Sequence, residues 1–286
     1  MMGPARTPAP RLRRRLRRPR LGQHFLAGEN VRREILRQLD ARPEDYWLEI
    51  GAGHGEMTVG LAATGGAVRA VERDPELAQG LRVRLAEFPH ARVIESDILK
   101  VSLDELAQQM GCARYRVYGN VPYYITSPIL RHLFRASGVI ADMHLVVQRE
   151  VAERLVATPG GRDYGYLSVL TQFHATAEIL QSVPRGAFRP QPQVDSALVQ
   201  LVPPGRQTEL GIKEPEKFLR FLQTCFQQKR KTLVNNLRGS VERAQVEQVL
   251  TEAGLDRRAR AEKLSLEDFS RLFRRLGQRR APSRNK

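Results

Sequence analysis

Apolar and polar positions along this chain follow two periods. Short runs that are apolar or β-branched, Tyr46–Ile50, Ala67–Val71, Arg92–Glu95, Tyr115–Tyr118 and Asp142–Gln148, have the length and make-up of buried strands. Between them, apolar residues recur three and four apart near Asn30–Leu39 and over Glu56–Ala63, Ser127–Ala136 and Arg149–Val156, which predicts helices. The first four strand ends fall at Gly51, Glu72, Asp97 and Asn120, at intervals of 21, 25 and 23 residues. Each interval fits one strand plus one crossover helix. The pattern therefore predicts an α/β fold with a doubly wound, mostly parallel sheet, and it sets all four residues along one rim, where such sheets bind ligands.

Further β-like segments fall near Ala175–Val183 and Asp195–Val202. The glycine-rich run from Thr158 to Tyr166 reads as a flexible loop able to close over a substrate. In Phe188-Arg189-Pro190-Gln191-Pro192-Gln193-Val194 two prolines stiffen the chain and hold Phe188 at a loop edge, for stacking on a flat base or for packing. Pro203-Pro204-Gly205 marks a boundary, after which Pro215–Gln228, Val241–Ala253 and Leu266–Leu276 carry helical periodicity. Ser265 and Asp268 match a capping box loosely, the usual fourth residue being Glu or Gln. The division expected is a basic arm over 1–20, an α/β domain over 21–204, a small all-α domain over 205–280 and a tail over 281–286.

Charge changes this picture more than composition does. The net +16 divides into +8 over residues 1–20, which hold eight Arg and no acid, −2 over 21–204, and +10 over 205–286. A nearly neutral body with two cationic flanks points to a polyanionic partner held by the ends. The first 20 residues, with four prolines, cannot bury enough apolar area to fold alone and are expected to be a disordered, RNA-contacting arm. An Arg-rich, acid-free start also fits an organelle transit peptide. No apolar run approaches the roughly 18 residues of a membrane span, so no membrane partner is expected. Cys112 and Cys225 belong to no spaced Cys/His set, so neither a bound metal nor a disulfide framework is expected, and a reducing, cytoplasmic setting fits.

The candidate chemistry sits at the rim. Gly51-Ala52-Gly53-His54-Gly55 follows the first long strand, and glycines there let backbone approach a ligand that side chains would exclude. The spacing is not the Gly-x-Gly-x-x-Gly of pyrophosphate binders. Glu72, 19 residues after Gly53, stands where an acid takes ribose hydroxyls. Asp74-Pro75-Glu76 reads as a helix cap, whereas Asp97 could accept an adenine amino group or cap a helix. Gly22-Gln23-His24-Phe25-Leu26 could line a pocket or form a lead-in loop. In Asn120-Val121-Pro122-Tyr123, proline restricts the backbone, so a carboxamide, a fixed carbonyl and an aromatic ring meet within four residues. That set suits an exocyclic amine on a flat heterocycle, which donates to the carboxamide and the carbonyl while the ring of Tyr123 stacks on it, and the same four residues also fit an ordinary strand-to-turn corner opened by an Asn turn. An adenosine pocket without diphosphate fits S-adenosylmethionine, and the reaction becomes methyl transfer to an aromatic amine.

In these motifs and their order the chain resembles the KsgA type of ribosomal RNA adenine N6,N6-dimethyltransferase. The resemblance runs over about residues 21–276, through Gly22–Leu26, the glycine loop, Asn120–Tyr123, Phe188-x-Pro190-x-Pro192-x-Val194-x-Ser196 and Lys229-Arg230-Lys231-Thr232-Leu233. It implies a Rossmann-like class I methyltransferase domain with a small helical domain, S-adenosylmethionine as cofactor, and dimethylation of two adjacent adenosines in the 3′-terminal hairpin of small-subunit (16S) ribosomal RNA. It also implies an assembling 30S particle as partner and a monomer. By residue match, His24, Leu26, Gly51, Glu72, Asp97 and Asn120 would contact the cofactor, with Gly53 in the same loop. Asn120, Val121, Pro122, Tyr123 and Phe188 would carry the transfer. Val121 replaces the usual Leu or Ile, and His24 stands where many members have Asn. Alternatives are an Erm-type methylation of large-subunit RNA and a non-enzymatic transcription-factor relative. DNA adenine methyltransferases usually show Asp-Pro-Pro-Tyr where this chain has Asn-Val-Pro-Tyr.

Overall fold

A computed structural model describes residues 23–122 and 125–278 of the protein. The arm over 1–20, Tyr123 and the tail over 281–286 lie outside the described residues. A seven-stranded sheet is built from β2 (Tyr46–Ile50), β3 (Ala67–Glu72), β4 (Ala91–Glu95), β5 (Tyr115–Asn120), β6 (Ile140–Gln148), β7 (Thr176–Val183) and β9 (Ser196–Val202). Its order is β4-β3-β2-β5-β6-β9-β7, all parallel except β9, which runs antiparallel to both neighbours. A separate two-stranded pair joins β1 (Phe25–Leu26) to β8 (Phe188–Arg189).

The strands look as they do in sequence because both faces are covered. In β2, Leu48 and Ile50 enter one core and Trp47 the other, so four consecutive positions are buried. Helices α1 (Glu29–Leu39), α2 (Glu56–Ala62) and α3 (Pro75–Arg84) belong to the Trp47 side, and α4 (Leu103–Met110) and α5 (Thr126–Arg135) to the Leu48 side. Asp74 caps α3, its carboxylate accepting from the N–H groups of Glu76 and Leu77 at 3.0 and 3.4 Å, with Pro75 at the first helical position.

Beyond β9 the described chain is helical: α8 (Pro215–Cys225), α9 (Leu233–Asn236), α10 (Arg243–Glu252) and α11 (Leu266–Gln278). They enclose a third core with Phe218, Val249 and Phe269, and Val169 and Phe173 enter it from α7 (Tyr166–His174), which follows α6 (Arg149–Val156). The expected helix over Pro215–Gln228 stops at Cys225. At that end the Asn236 amide donates to the Cys225 carbonyl (2.8 Å), one the stopped helix leaves open, and to the Gln228 carbonyl in the turn beyond (3.2 Å). Ser265 and Asp268 do form a reciprocal box, Ser265 N–H to Asp268 Oδ2 at 2.9 Å and Asp268 N–H to Ser265 Oγ at 3.1 Å.

The run from Thr158 to Tyr166 is not free to act as a lid. Gly160 N–H donates to the Glu262 carbonyl (2.8 Å), the Tyr164 hydroxyl to the Leu264 carbonyl (3.0 Å) and Lys229 Nζ to the Arg162 carbonyl (3.0 Å), while the Tyr164 ring is buried in the helical core. A segment fastened at three points and anchored by a buried aromatic is a strut between α6 and α7. No described helix is long and apolar enough to cross a membrane.

Candidate active site

A cleft opens at the carboxyl ends of β2, β3, β4 and β5. Gly51, Glu72, Asp97 and Asn120 all line it, so the four strand ends do meet at one rim. Gln23, His24 and Phe25 form part of the same wall.

The glycine loop follows from packing. Gly51, Gly53 and Gly55 all have left-handed φ, at 69, 59 and 85°. A Cβ at Gly53 would lie 2.9 Å from the Phe25 ring, and one at Gly55 only 2.3 Å from Leu81, whereas at Gly51 nothing comes nearer than 4.0 Å. Gly53 and Gly55 therefore make room for protein atoms, and Gly51 is the glycine whose open side faces the cleft. Gly53 does not line it and acts indirectly. Its N–H donates to Glu72 Oε2 at 2.8 Å, while Asp74 N–H donates to Oε1 at 2.8 Å, so the carboxylate is clamped by one backbone donor on each oxygen. Each oxygen keeps a second lone pair for a ligand hydroxyl.

The two oxygens of Asp97 are placed differently. Oδ1 caps the 3-10 turn over Ile98–Lys100 by accepting from Leu99 N–H (3.1 Å), and Oδ2 faces Arg73 at 3.5 Å on the cleft side. Leu26 and Phe188 depart from expectation. Leu26 is buried opposite Phe188 in the β1–β8 pair and does not line the cleft, the neighbouring Phe25 doing so instead with its ring 4.5 Å from that of His54. Phe188 is 1% exposed within the core under α1 and α2. Of the two roles the sequence left open for Phe188, stacking and packing, the structure shows packing: β8 pairs with β1 so that Phe188 turns into the core while Arg189 takes the exposed face.

At the end of β5, Asn120 Nδ2 donates to the His24 carbonyl at 2.8 Å. Val121 N–H continues the ladder to the Val146 carbonyl (3.1 Å). The Pro122 carbonyl is taken by Ile125 N–H (3.1 Å) and the Thr126 hydroxyl (3.2 Å). Asn120, Val121 and Pro122 all line the cleft. The apolar walls, Ile50, Val71, Ile98, Ile125 and Ile129, were not singled out from sequence. For Ile50, Val71 and Ile98 the signal is position, one residue before or after a polar or glycine strand end.

Glu49, one residue before Ile50, is 3% exposed on the opposite face of β2 and does not line the cleft. Burial pushes its carboxyl up to about 8, against the neighbouring Thr58 hydroxyl and with help from Glu56 and Glu72. Tyr118 stands directly across from it on β5. No group of three or more His, Cys, Asp or Glu among the described residues could hold a metal ion.

Comparison with known proteins agrees with this geometry. The family model described as ribosomal RNA adenine dimethylase matches residues 14–278. The protein named ribosomal RNA small subunit methyltransferase A from Acidobacterium capsulatum is 44% identical over 263 residues, 92% of each chain. Its namesake from Moorella thermoacetica is 40% identical, over 89% of this chain and 91% of its own. Among solved structures, a 23S rRNA methyltransferase, ErmE, is 28% identical with a TM-score of 0.65, over 89% of this chain and all of its own. A dimethyladenosine transferase from Plasmodium falciparum, 23% identical with a TM-score of 0.72 over 89% of this chain and 98% of its own, shares the fold.

Proposed function

Because the chain belongs to the ribosomal RNA adenine dimethylase family, we propose that it dimethylates the N6 amines of two adjacent adenosines in the 3′-terminal hairpin of small-subunit ribosomal RNA. The observation that carries this reading is the Asn120 carboxamide, fixed by its Nδ2 at the cleft that Val121 and Pro122 also line. The family and the cleft both fit S-adenosylmethionine, which supplies an electrophilic methyl group when bound. Clamped Glu72 would take its ribose hydroxyls, Asp97 its adenine amine, and Ile98 and Val71 would cover the apolar faces of its base.

An adenine amine is a poor nucleophile because its lone pair is delocalised into the ring. With one N–H directed to Asn120 Oδ1 and the other to the Val121 carbonyl, the nitrogen is drawn toward a pyramidal form and its lone pair turns to the methyl group. This is catalysis by positioning and fixed dipoles. No general base is needed, because the methylated ammonium is acidic enough to lose its proton to solvent. The second transfer starts from an amine with one N–H and so uses one of the two acceptors. The base must leave its stack to reach the cleft, and Tyr123 is assigned to stack on it. The helical part from Pro215 onward, with Arg230 and Lys231 exposed in the turn between α8 and α9, would hold RNA backbone. The substrate in this reading is an assembling 30S particle, and the enzyme acts as a cytoplasmic monomer.

Large-subunit methylation is the weaker reading, since ErmE is 28% identical whereas the small-subunit relatives reach 40–44%. The test is incubation with labelled S-adenosylmethionine and undermethylated small subunits, followed by mass mapping of the RNA. Dimethyladenosine confined to the 3′-terminal hairpin is expected. Label only on large-subunit RNA, or on none, overturns the proposal.

A further inference from the structure

We infer that His24 is a positioning residue for transfer, orienting the Asn120 carboxamide through its own carbonyl; the inference rests on the transfer role given to Asn120. A carboxamide can present either end to a substrate, and the two ends have opposite character. A backbone carbonyl only accepts, so the 2.8 Å contact with the His24 carbonyl requires Nδ2 on that side and leaves Oδ1 on the other. Turned over, the group would set an NH₂ against the NH₂ of the incoming amine, donor against donor.

The His24 carbonyl can do this only if its segment is held still, and residues 24–28 are held from two sides. The His24 ring donates from Nδ1 to the Pro190 carbonyl at 2.7 Å; since that partner also only accepts, Nδ1 carries the proton. Ala27 and Gly28 N–H groups both reach the Ala187 carbonyl, at 2.8 and 2.9 Å, and Phe25–Leu26 pairs with Phe188–Arg189. From the other side the Arg32 guanidinium donates to the carbonyls of Leu26 (3.0 Å) and Ala27 (2.7 Å). A continuous line of hydrogen bonds thus runs from the proline-stiffened loop through the ring and carbonyl of His24 to Asn120. Asparagine carries its Nδ2 on Cγ, where histidine carries Nδ1, so it can place a donor at nearly the same point; alanine cannot.

The experiment is a double-mutant cycle with the full-length enzyme on undermethylated small subunits, following single-turnover rate and, separately, cofactor affinity by calorimetry. His24→Ala is expected to lower the rate about ten- to a hundredfold, the range for losing one oriented polar contact, and, since His24 also lines the cleft, to lower cofactor affinity by a clearly smaller factor. His24→Asn should recover most of that loss. Adding His24→Ala to Asn120→Ala should cost almost nothing more, because the group being oriented is gone. Additive losses, a loss confined to cofactor affinity, or no recovery by asparagine each overturn the positioning role. An unmutated enzyme that transfers no methyl to ribosomal RNA would instead overturn the proposed function.

Discussion

Replacing Glu49 by glutamine tests whether a buried carboxylic acid sits under the glycine loop. With its native value pushed up to about 8 by burial and an ordinary value of 4.5, the native state keeps a proton that the unfolded chain has released anywhere between those pH values. Unfolding is then favoured by rising pH, at about 1.4 kcal/mol per pH unit. Over the window from 4.5 to about 8 the loss approaches about 5 kcal/mol, a large share of a typical domain's stability. Below 4.5 both states hold the proton and the difference vanishes; above 8 it is constant. The glutamine side chain would keep the shape of the acid and remove the titration. Urea unfolding of parent and Glu49→Gln at intervals from pH 5 to 9 should give curves that converge at the acid end and separate steadily, the variant more stable at pH 8. Any fixed cost of burying the amide shifts the offset and leaves the slope. Parallel curves would refute the reasoning.

Asn120→Ala should leave cofactor affinity nearly unchanged and reduce transfer by about 100-fold or more, read by calorimetry beside single-turnover kinetics; equal losses in both would count against its role. Arg116 lies between Asp45 (3.0 Å) and Asp142 (3.1 Å) with its guanidinium 4.4 Å from the Trp47 ring centroid, all largely buried at the foot of the sheet. Arg116→Leu should cost about 3 kcal/mol in chemical denaturation by removing the cation between two carboxylates that would keep only the Arg42 N–H (2.9 Å) and His144 Nδ1 (3.3 Å), and an unchanged midpoint would show the cluster contributes nothing. Deleting residues 1–20, with eight Arg, should weaken RNA affinity and flatten its dependence on salt; an unchanged slope would make the arm inert.

Much of this molecule is visible before any coordinates are. The central strands are legible because they are buried on both faces and so appear as short apolar runs, and their regular spacing brings Gly51, Glu72, Asp97 and Asn120 together at the cleft. What escaped is what depends on partners distant in sequence. Helix α7 is hidden because Leu170 faces the sheet core while Val169 and Phe173 face the helical core, which erases the polar stripe that reveals a helix. Phe188 looks like a loop aromatic until β1 pairs with its strand. The strut between α6 and α7 has the glycines of a flexible loop, but its fastenings come from Lys229, Glu262 and Leu264.

The reversal of β9 has a consequence for the order in which the protein is made. Because β9 runs against its neighbours, the segment joining β7 to β9 turns at the carboxyl rim and brings Pro190 to His24, 166 positions earlier in the chain. The glycine loop, Glu72 and Asn120 all lie within the first 120 residues, yet the wall beside them waits for residues 187–190 to leave the ribosome. A nascent chain halted before that point has Gly51, Glu72, Asp97 and Asn120 and no finished cleft wall, so the cleft matures late in synthesis, by a contact of long sequence separation that is among the slowest kinds to form.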